Sequence, residues 1–221
     1  MRAPPRIDRP TPWRLAYLVL GLFFFAAGIV ALLESRLGLS PWDVLHQGLA
    51  KHTPLTFGTA SIAVSVVVLV GAWLLGARIG IGTLANALLV GGFVEALTRI
   101  PAVDRAAGWD LSARIGLLAG GLALMGAGTA LYLGADFGAG PRDSLMVVGA
   151  ARTRFRIGAV RAGLEIGALA IGVVLGGTVG VGTLAFALSI GPIVELSFWV
   201  LERTPLGTAG TVASSAPAPL V

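Results

Sequence analysis

The sequence predicts an all-α polytopic membrane protein, with six transmembrane helices arranged as two inverted three-helix repeats and a short extra helix after the first span of each. Three observations lead there. Of 221 residues, 56% are hydrophobic and 12% charged, about half the charged share of a soluble domain, too little to coat a water-facing surface of this size. Uncharged runs long enough to cross a bilayer, about 20 residues, recur along the chain. A shift of 100 residues lays the first half of the sequence over the second.

The runs define the spans in order. Leu15 to Leu33 gives 19 uncharged residues, Phe57 to Ala77 gives 21, Ile79 to Val94 gives 16 and Ile115 to Ala135 gives 21. Ile166 to Val194 gives 29, too long for one span, and its central Gly176, Gly177, Gly180 and Gly182 mark a tight turn between two helices. The expected spans are 14–34, 57–77, 80–99, 114–134, 157–176 and 180–201. The first is not a cleavable signal, because its apolar core exceeds the 7–15 residues of an h-region. Residues 1–13, with their prolines and arginines, and 204–221, rich in Ala, Pro, Ser and Thr, read as disordered tails. Residues 14–100 form the first repeat, 101–113 a linker and 114–203 the second repeat.

Between 14–100 and 114–200 there are 27 identities in 87 positions, without a gap. Gly38, Pro41, Asp43 and Leu45 recur as Gly138, Pro141, Asp143 and Leu145, and GIGTLANALLVGGFVE (80–95) recurs as GVGTLAFALSIGPIVE (180–195). Pro, Asp, Thr and Glu match in register as well as apolar residues, which shared composition does not explain. Three spans per repeat bring the second copy into the membrane from the opposite side. The basic residues fit both termini being cytoplasmic: eleven (Arg2, Arg6, Arg9, Arg14, Arg78, Arg142, Arg152, Arg154, Arg156, Arg161, Arg203) fall inside against five (Arg36, Lys51, Arg99, Arg105, Arg114) outside. Full crossings by 41–50 and 141–151 would instead make the repeats parallel, but ten residues are too few to span. Whether these segments re-enter the bilayer or lie at its interface is open.

Ser40-Pro41-Trp42-Asp43 has a hydroxyl at the N-cap, proline at the first helical position and a carboxylate at the third. Gly140-Pro141-Arg142-Asp143 keeps the proline and the carboxylate. Asp43 and Asp143 have two readings: structural caps, or groups carried by two helix starts that aim at a central cavity, as broken helices do in transporters. In the second reading Asp43 and His46, three apart on one face, exchange a proton with a solute or coupling ion; in the first, His46 is a lone loop histidine. Glu95 and Glu195 close spans three and six. Glu95 has Arg99 at i+4, while Glu195 is read either as cavity lining or as interfacial support near Trp199. Glu165, about eight residues into span five with Arg161 one turn before it, is a pathway residue or a satisfied ion pair. Asn86 is an interhelical hydrogen-bonding group. Gly116/Gly120, Gly163/Gly167 and Gly172/Gly176 have the spacing of close helix contacts.

The Gly80-Ile81-Gly82 and Gly180-Val181-Gly182 pairs lack a third glycine and are not dinucleotide fingerprints. No Walker loop, G-x-S-x-G, H-E-x-x-H or CxxC occurs, and there is no cysteine. The expectation is a non-enzyme without cofactor or metal. The basic cluster Arg142, Arg152, Arg154 and Arg156 reads as a cytoplasmic loop facing anionic lipid rather than nucleic acid. The bilayer and an unknown small solute or ion are the expected partners, with a homodimer as a further option.

LGLSPWDVLHQGLA (37–50), FGTASI (57–62), GIGTLANALLVGGFVEAL (80–97), GAGPRDSLM (138–146) and VGVGTLAFALSIGPIVE (179–195) together resemble the YczE-like family of bacterial integral membrane proteins, itself related to the YitT-type proteins. The resemblance covers about 14–203. It implies a bacterial plasma-membrane protein of this span number, and carries no catalytic residues. The functional expectation is a small secondary transporter or permease with its pathway at Asp43, His46, Asp143, Glu165 and Glu195 and its helix starts at Ser40, Pro41 and Pro141. The alternative is a membrane accessory protein that binds or supports another protein.

Overall fold

The computed structural model describes residues 4–101 and 108–208. Among them are eight helices: α1 (Thr11–Ser35), α2 (Pro41–His52), α3 (Phe57–Leu74), α4 (Ile81–Thr98), α5 (Leu111–Gly134), α6 (Pro141–Thr153), α7 (Ile157–Val174) and α8 (Val181–Glu202). Six of them, all but α2 and α6, are long and apolar enough to cross a membrane. Their bounds fall within about three residues of the expected spans, because the charges that interrupt the apolar runs also set where a helix can leave lipid. At ~1.5 Å rise per residue, α2 and α6 are too short to cross a hydrocarbon core of ~30 Å.

At the centre α1 packs along α5. A Cβ on Gly21 would lie 2.8 Å from the Gly128 carbonyl oxygen, and one on Gly28 would lie 2.6 Å from that of Gly121. The two backbones therefore run antiparallel and touch through glycine, where larger side chains would hold them apart. Leu22, Leu32, Ile29, Leu122 and Met125 fill the seam. On its outer sides α1 meets α4 and α5 meets α8, while α2 lies against α3 and α7, and α6 against the same two helices.

Contacts come in pairs displaced by 100 residues. Arg14 Nε and Nη2 donate to the Ala135 carbonyl (3.0 and 2.7 Å), and Arg114 Nε donates to the Ser35 carbonyl (2.7 Å). Each arginine satisfies an orphan carbonyl at the C-terminus of the opposite central helix. The Gly182 amide donates to Leu37 (2.7 Å) and the Gly82 amide to Phe137 (2.8 Å). Gly38 and Gly138 make these crossings possible: both have positive φ, +124° and +116°, and a Cβ on Gly38 would meet the Gly180 amide at 2.7 Å. At the α4 and α8 starts, the Thr83 and Thr183 hydroxyls accept the Gly80 and Gly180 amides (3.2 and 3.3 Å), half of a capping box.

Several expectations change. Residues 4–13 and 204–208 are not tails in this structure: Arg6–Ile7 pairs antiparallel with Gly207–Thr208, and α1 starts at Thr11. Ile7 is buried beside Ala130, Phe198 and Leu201, an apolar anchor that composition counting overlooked. Residues 1–3, 209–221 and 102–107 of the expected tails and linker lie outside the described residues. Of the glycine pairs, Gly172 packs on the α2 backbone at Val44 and Leu45, whereas Gly116, Gly120, Gly163, Gly167 and Gly176 have no neighbour within 4 Å.

Candidate functional site

The site is built on the two short helices. At α2, the Ser40 hydroxyl accepts the Asp43 amide (3.3 Å) and donates to the Asp43 carboxylate. Proline at N1 lacks the amide that would go unsatisfied there. At α6 glycine replaces the serine and no side chain caps the helix. The two starts approach each other, so the Arg142 guanidinium stacks over the Trp42 ring at 4.9 Å.

Beside this contact lies a cavity of about 430 Å³, within the range of small-ligand sites. Its wall takes Arg142 and Asp143 from α6, Arg161 and Glu165 from α7, Glu195 from α8, Asn86 from α4 and Ser61 and Ser65 from α3. Phe25, Met125, Phe186 and Ile190 supply apolar surface. The Tyr132 hydroxyl donates to Asp143 Oδ2 (3.1 Å), and Arg161 Nε donates to Glu165 Oε1 (2.8 Å). The Arg161 and Glu165 side chains keep 36% and 29% exposure, so the pair lies at the cavity wall rather than sealed in the helix packing.

Cavity access follows from helix packing. α3 packs along α4, but α7 and α8, their counterparts 100 residues on, barely touch. The gap between them exposes Glu195, and Pro192 interrupts α8 beside it. A proline in a helix interior removes one ladder hydrogen bond and favours a bend.

The sequence-predicted residues divide. Pro141, Asp143, Glu165 and Glu195 line one cavity. Ser40, Pro41, Asp43 and His46 do not; they are buried in the wall behind Trp42. This corrects the expectation that Asp43 and His46 meet a solute directly, and also the loop reading of His46. The spacing put them on one face correctly, but that face turns inward. Asp43 Oδ1 and His46 Nδ1 are 3.3 Å apart and out of line for a hydrogen bond, leaving Asp43 Oδ1 and both His46 nitrogens without one. The His46 ring stands edge-on to Phe57, centroids 6.0 Å apart. A carboxylate and an imidazole this close, both fully buried, are uncommon among packed side chains.

Arg142 is the residue that sequence reasoning placed wrongly. Counted as a cytoplasmic loop charge, it is the second residue of a buried helix start and lines the cavity. Its position 100 residues after Trp42, in the otherwise matching Pro-x-Asp motif, was the available signal. Asn86, expected to bridge helices, lines the cavity, as does Ser61. Among the described residues no three His, Asp or Glu side chains gather in the manner of a metal site.

Comparison with known proteins gives one family and several relatives. A model for a family of unknown function, DUF6198, matches residues 12–198. An uncharacterized protein of Haemophilus influenzae is 38% identical over 198 residues, covering 87% of this chain and 89% of its own length. The uncharacterized membrane protein YczE of Bacillus subtilis is 35% identical over 188 residues, covering 83% and 85%. The uncharacterized protein YyaS of the same organism is 27% identical over 198 residues, covering 85% and 93%. No solved structure matches the chain significantly.

Proposed function

The chain belongs to the DUF6198 family, a multi-pass membrane protein with a YczE-named relative, and on that footing we propose that it is a small secondary transporter or permease. One observation carries the proposal: elements from both halves of the chain enclose a charged cavity that opens between two membrane-length helices. A structural scaffold has no need of such a space, because charge placed at bilayer depth is expensive and persists where a solute or ion makes use of it.

In this reading the halves are inverted repeats. The antiparallel α1 and α5 support it, as do the reciprocal bonds Leu37–Gly182 with Phe137–Gly82 and Arg14–Ala135 with Arg114–Ser35. The protein sits in the bacterial plasma membrane with both termini in the cytoplasm. Without Arg142 and Arg161, nine basic residues remain on the cytoplasmic side against five outside, so the positive-inside argument survives their relocation. Alternating access is a rocking of one repeat against the other around the cavity, with the α7–α8 gap as one gate and the Asp43–His46 pair as a proton site behind Trp42.

The test is uptake into proteoliposomes under an imposed proton gradient, across classes of small solute. One class accumulates, and Glu165→Gln slows it by at least about tenfold, the loss of one charge-assisted interaction. A protein that moves no class, with Glu165→Gln making no difference, is not a transporter. The accessory reading draws on the exposed run 151–159, with Arg152, Arg154, Phe155 and Arg156. Recovery of one defined protein by crosslinking from that run, together with no uptake, would establish it.

A further inference from the structure

The two short helices start alike in sequence and differ in what they leave unsatisfied. At α2, the Ser40 hydroxyl serves the Asp43 amide, so that start is closed on itself. At α6, Gly140 offers no cap, and arginine stands where α2 has tryptophan. Among the described residues, Arg142 has no hydrogen bond and no ion pair; it stacks on the Trp42 ring beneath it and feels the Asp43, Asp143 and Glu165 carboxylates only at longer range. The other charges in the wall are engaged: Arg161 holds Glu165, Tyr132 holds Asp143, and Glu195 also has a partner. A guanidinium facing a small, largely apolar cavity with one ring face covered and its edge unused is a strong unmet donor.

We propose that the cavity binds a small organic monocarboxylate, its carboxylate on Arg142 and its apolar body against Phe25, Met125 and Phe186. The assignment rests on the transport reading for its purpose and on the cavity alone for its chemistry. A planar guanidinium matches a carboxylate bidentately. The Asn86 amide beside Gly140, its Nδ2 3.3 Å from where a Cβ on Gly140 would stand, adds a donor group on the same side. The uncapped α6 amides contribute partial positive charge. Asp143, Glu165 and Glu195 face the two arginines across the cavity and repel each added negative charge, so a ligand carrying two, such as phosphate or a dicarboxylate, is rejected and a single carboxylate is held by its hydrogen bonds to Arg142.

The test uses the full-length protein purified in detergent, with calorimetric titration of benzoate against benzamide, benzylammonium, phthalate and inorganic phosphate. Benzoate binds and the other four bind at least tenfold more weakly. Arg142→Gln lowers benzoate affinity by about 10- to 100-fold, the range of a hydrogen-bonded charge, and Arg142→Lys restores part of it. Should Arg142→Gln not fold, Arg142→Lys carries the test alone: it keeps the charge, loses the planar fork and lowers benzoate affinity about fivefold in a protein with an unchanged melting temperature. Benzylammonium or phosphate binding as tightly as benzoate overturns the assignment, as does benzoate binding that neither variant changes. Arg142-dependent benzoate binding without uptake keeps the site and removes the transport reading. Uptake of a cation that is indifferent to Arg142 does the reverse.

Discussion

Gly58, Gly91 and Glu95 of the pair α3 and α4 recur as Gly158, Gly191 and Glu195 in the pair α7 and α8, and the two pairs are packed differently. In the first pair a Cβ on Gly58 would lie 2.6 Å from the Gly91 oxygen, and one on Gly91 would lie 2.6 Å from the Gly58 oxygen. The Thr56 hydroxyl donates to Glu95, and Arg99 holds the same carboxylate at 2.8 Å. In the second pair neither Gly158 nor Gly191 has a neighbour within 4 Å, Arg156 stands in place of Thr56, and Trp199 in place of Arg99. The pairs differ at the mouth, where the latch is lost, and along the helices, where Pro192 stands for Gly92, Ala162 for Ile62, and Arg161 and Glu165 for Ser61 and Ser65.

Cysteine placement breaks this comparison most sharply, because the protein has no cysteine of its own. Thr56→Cys with Glu95→Cys is bridged by a short bifunctional thiol reagent far more readily than Arg156→Cys with Glu195→Cys, because the Gly58–Gly91 contact still holds α3 on α4 after the latch residues are replaced. Gel mobility reads both. Next comes bulk in the notch. Gly91→Leu forces backbone apart and costs about 3 kcal/mol, and Gly191→Leu, in open space, changes stability by less than about 0.5 kcal/mol. Thermal unfolding in detergent measures the two side by side. Thr56→Val removes one hydrogen bond from a carboxylate and costs about 1 kcal/mol in the same assay. Arg99→Gln is the mildest: its side chain is 75% exposed, so about 0.5 kcal/mol or less is lost, and salt erases the difference.

Much of the fold was legible because lipid punishes irregularity. Charge-free runs marked the spans, and Pro41 and Pro141 marked helix starts within a residue. Glu95 with Arg99 and Arg161 with Glu165 were legible as i,i+4 pairs, since that spacing fixes a shared face. The cavity was legible only in part. Asp143, Glu165 and Glu195 converge as charge scarcity suggested, but spacing says that Asp43 and His46 share a face and not which neighbour that face meets. Arg142 was lost to a loop because a half-buried short helix and a polar loop have similar composition. The difference between the two glycine pairs is legible only beside them: Gly58 and Gly91 repeat as Gly158 and Gly191, while Thr56, Arg99 and Gly92 give way to Arg156, Trp199 and Pro192.

The crossed bonds of Leu37 with Gly182 and Phe137 with Gly82 also bear on how the protein is made. During synthesis the Gly82 amide is in place 55 residues before its acceptor, a wait of roughly 3 to 10 s at bacterial elongation rates. Leu37 waits longer still. Each half supplies one donor and one acceptor to this exchange, so neither half satisfies its own turn alone. The two halves are therefore completed together, and a chain that lacks either one leaves the other's helix start without its partner.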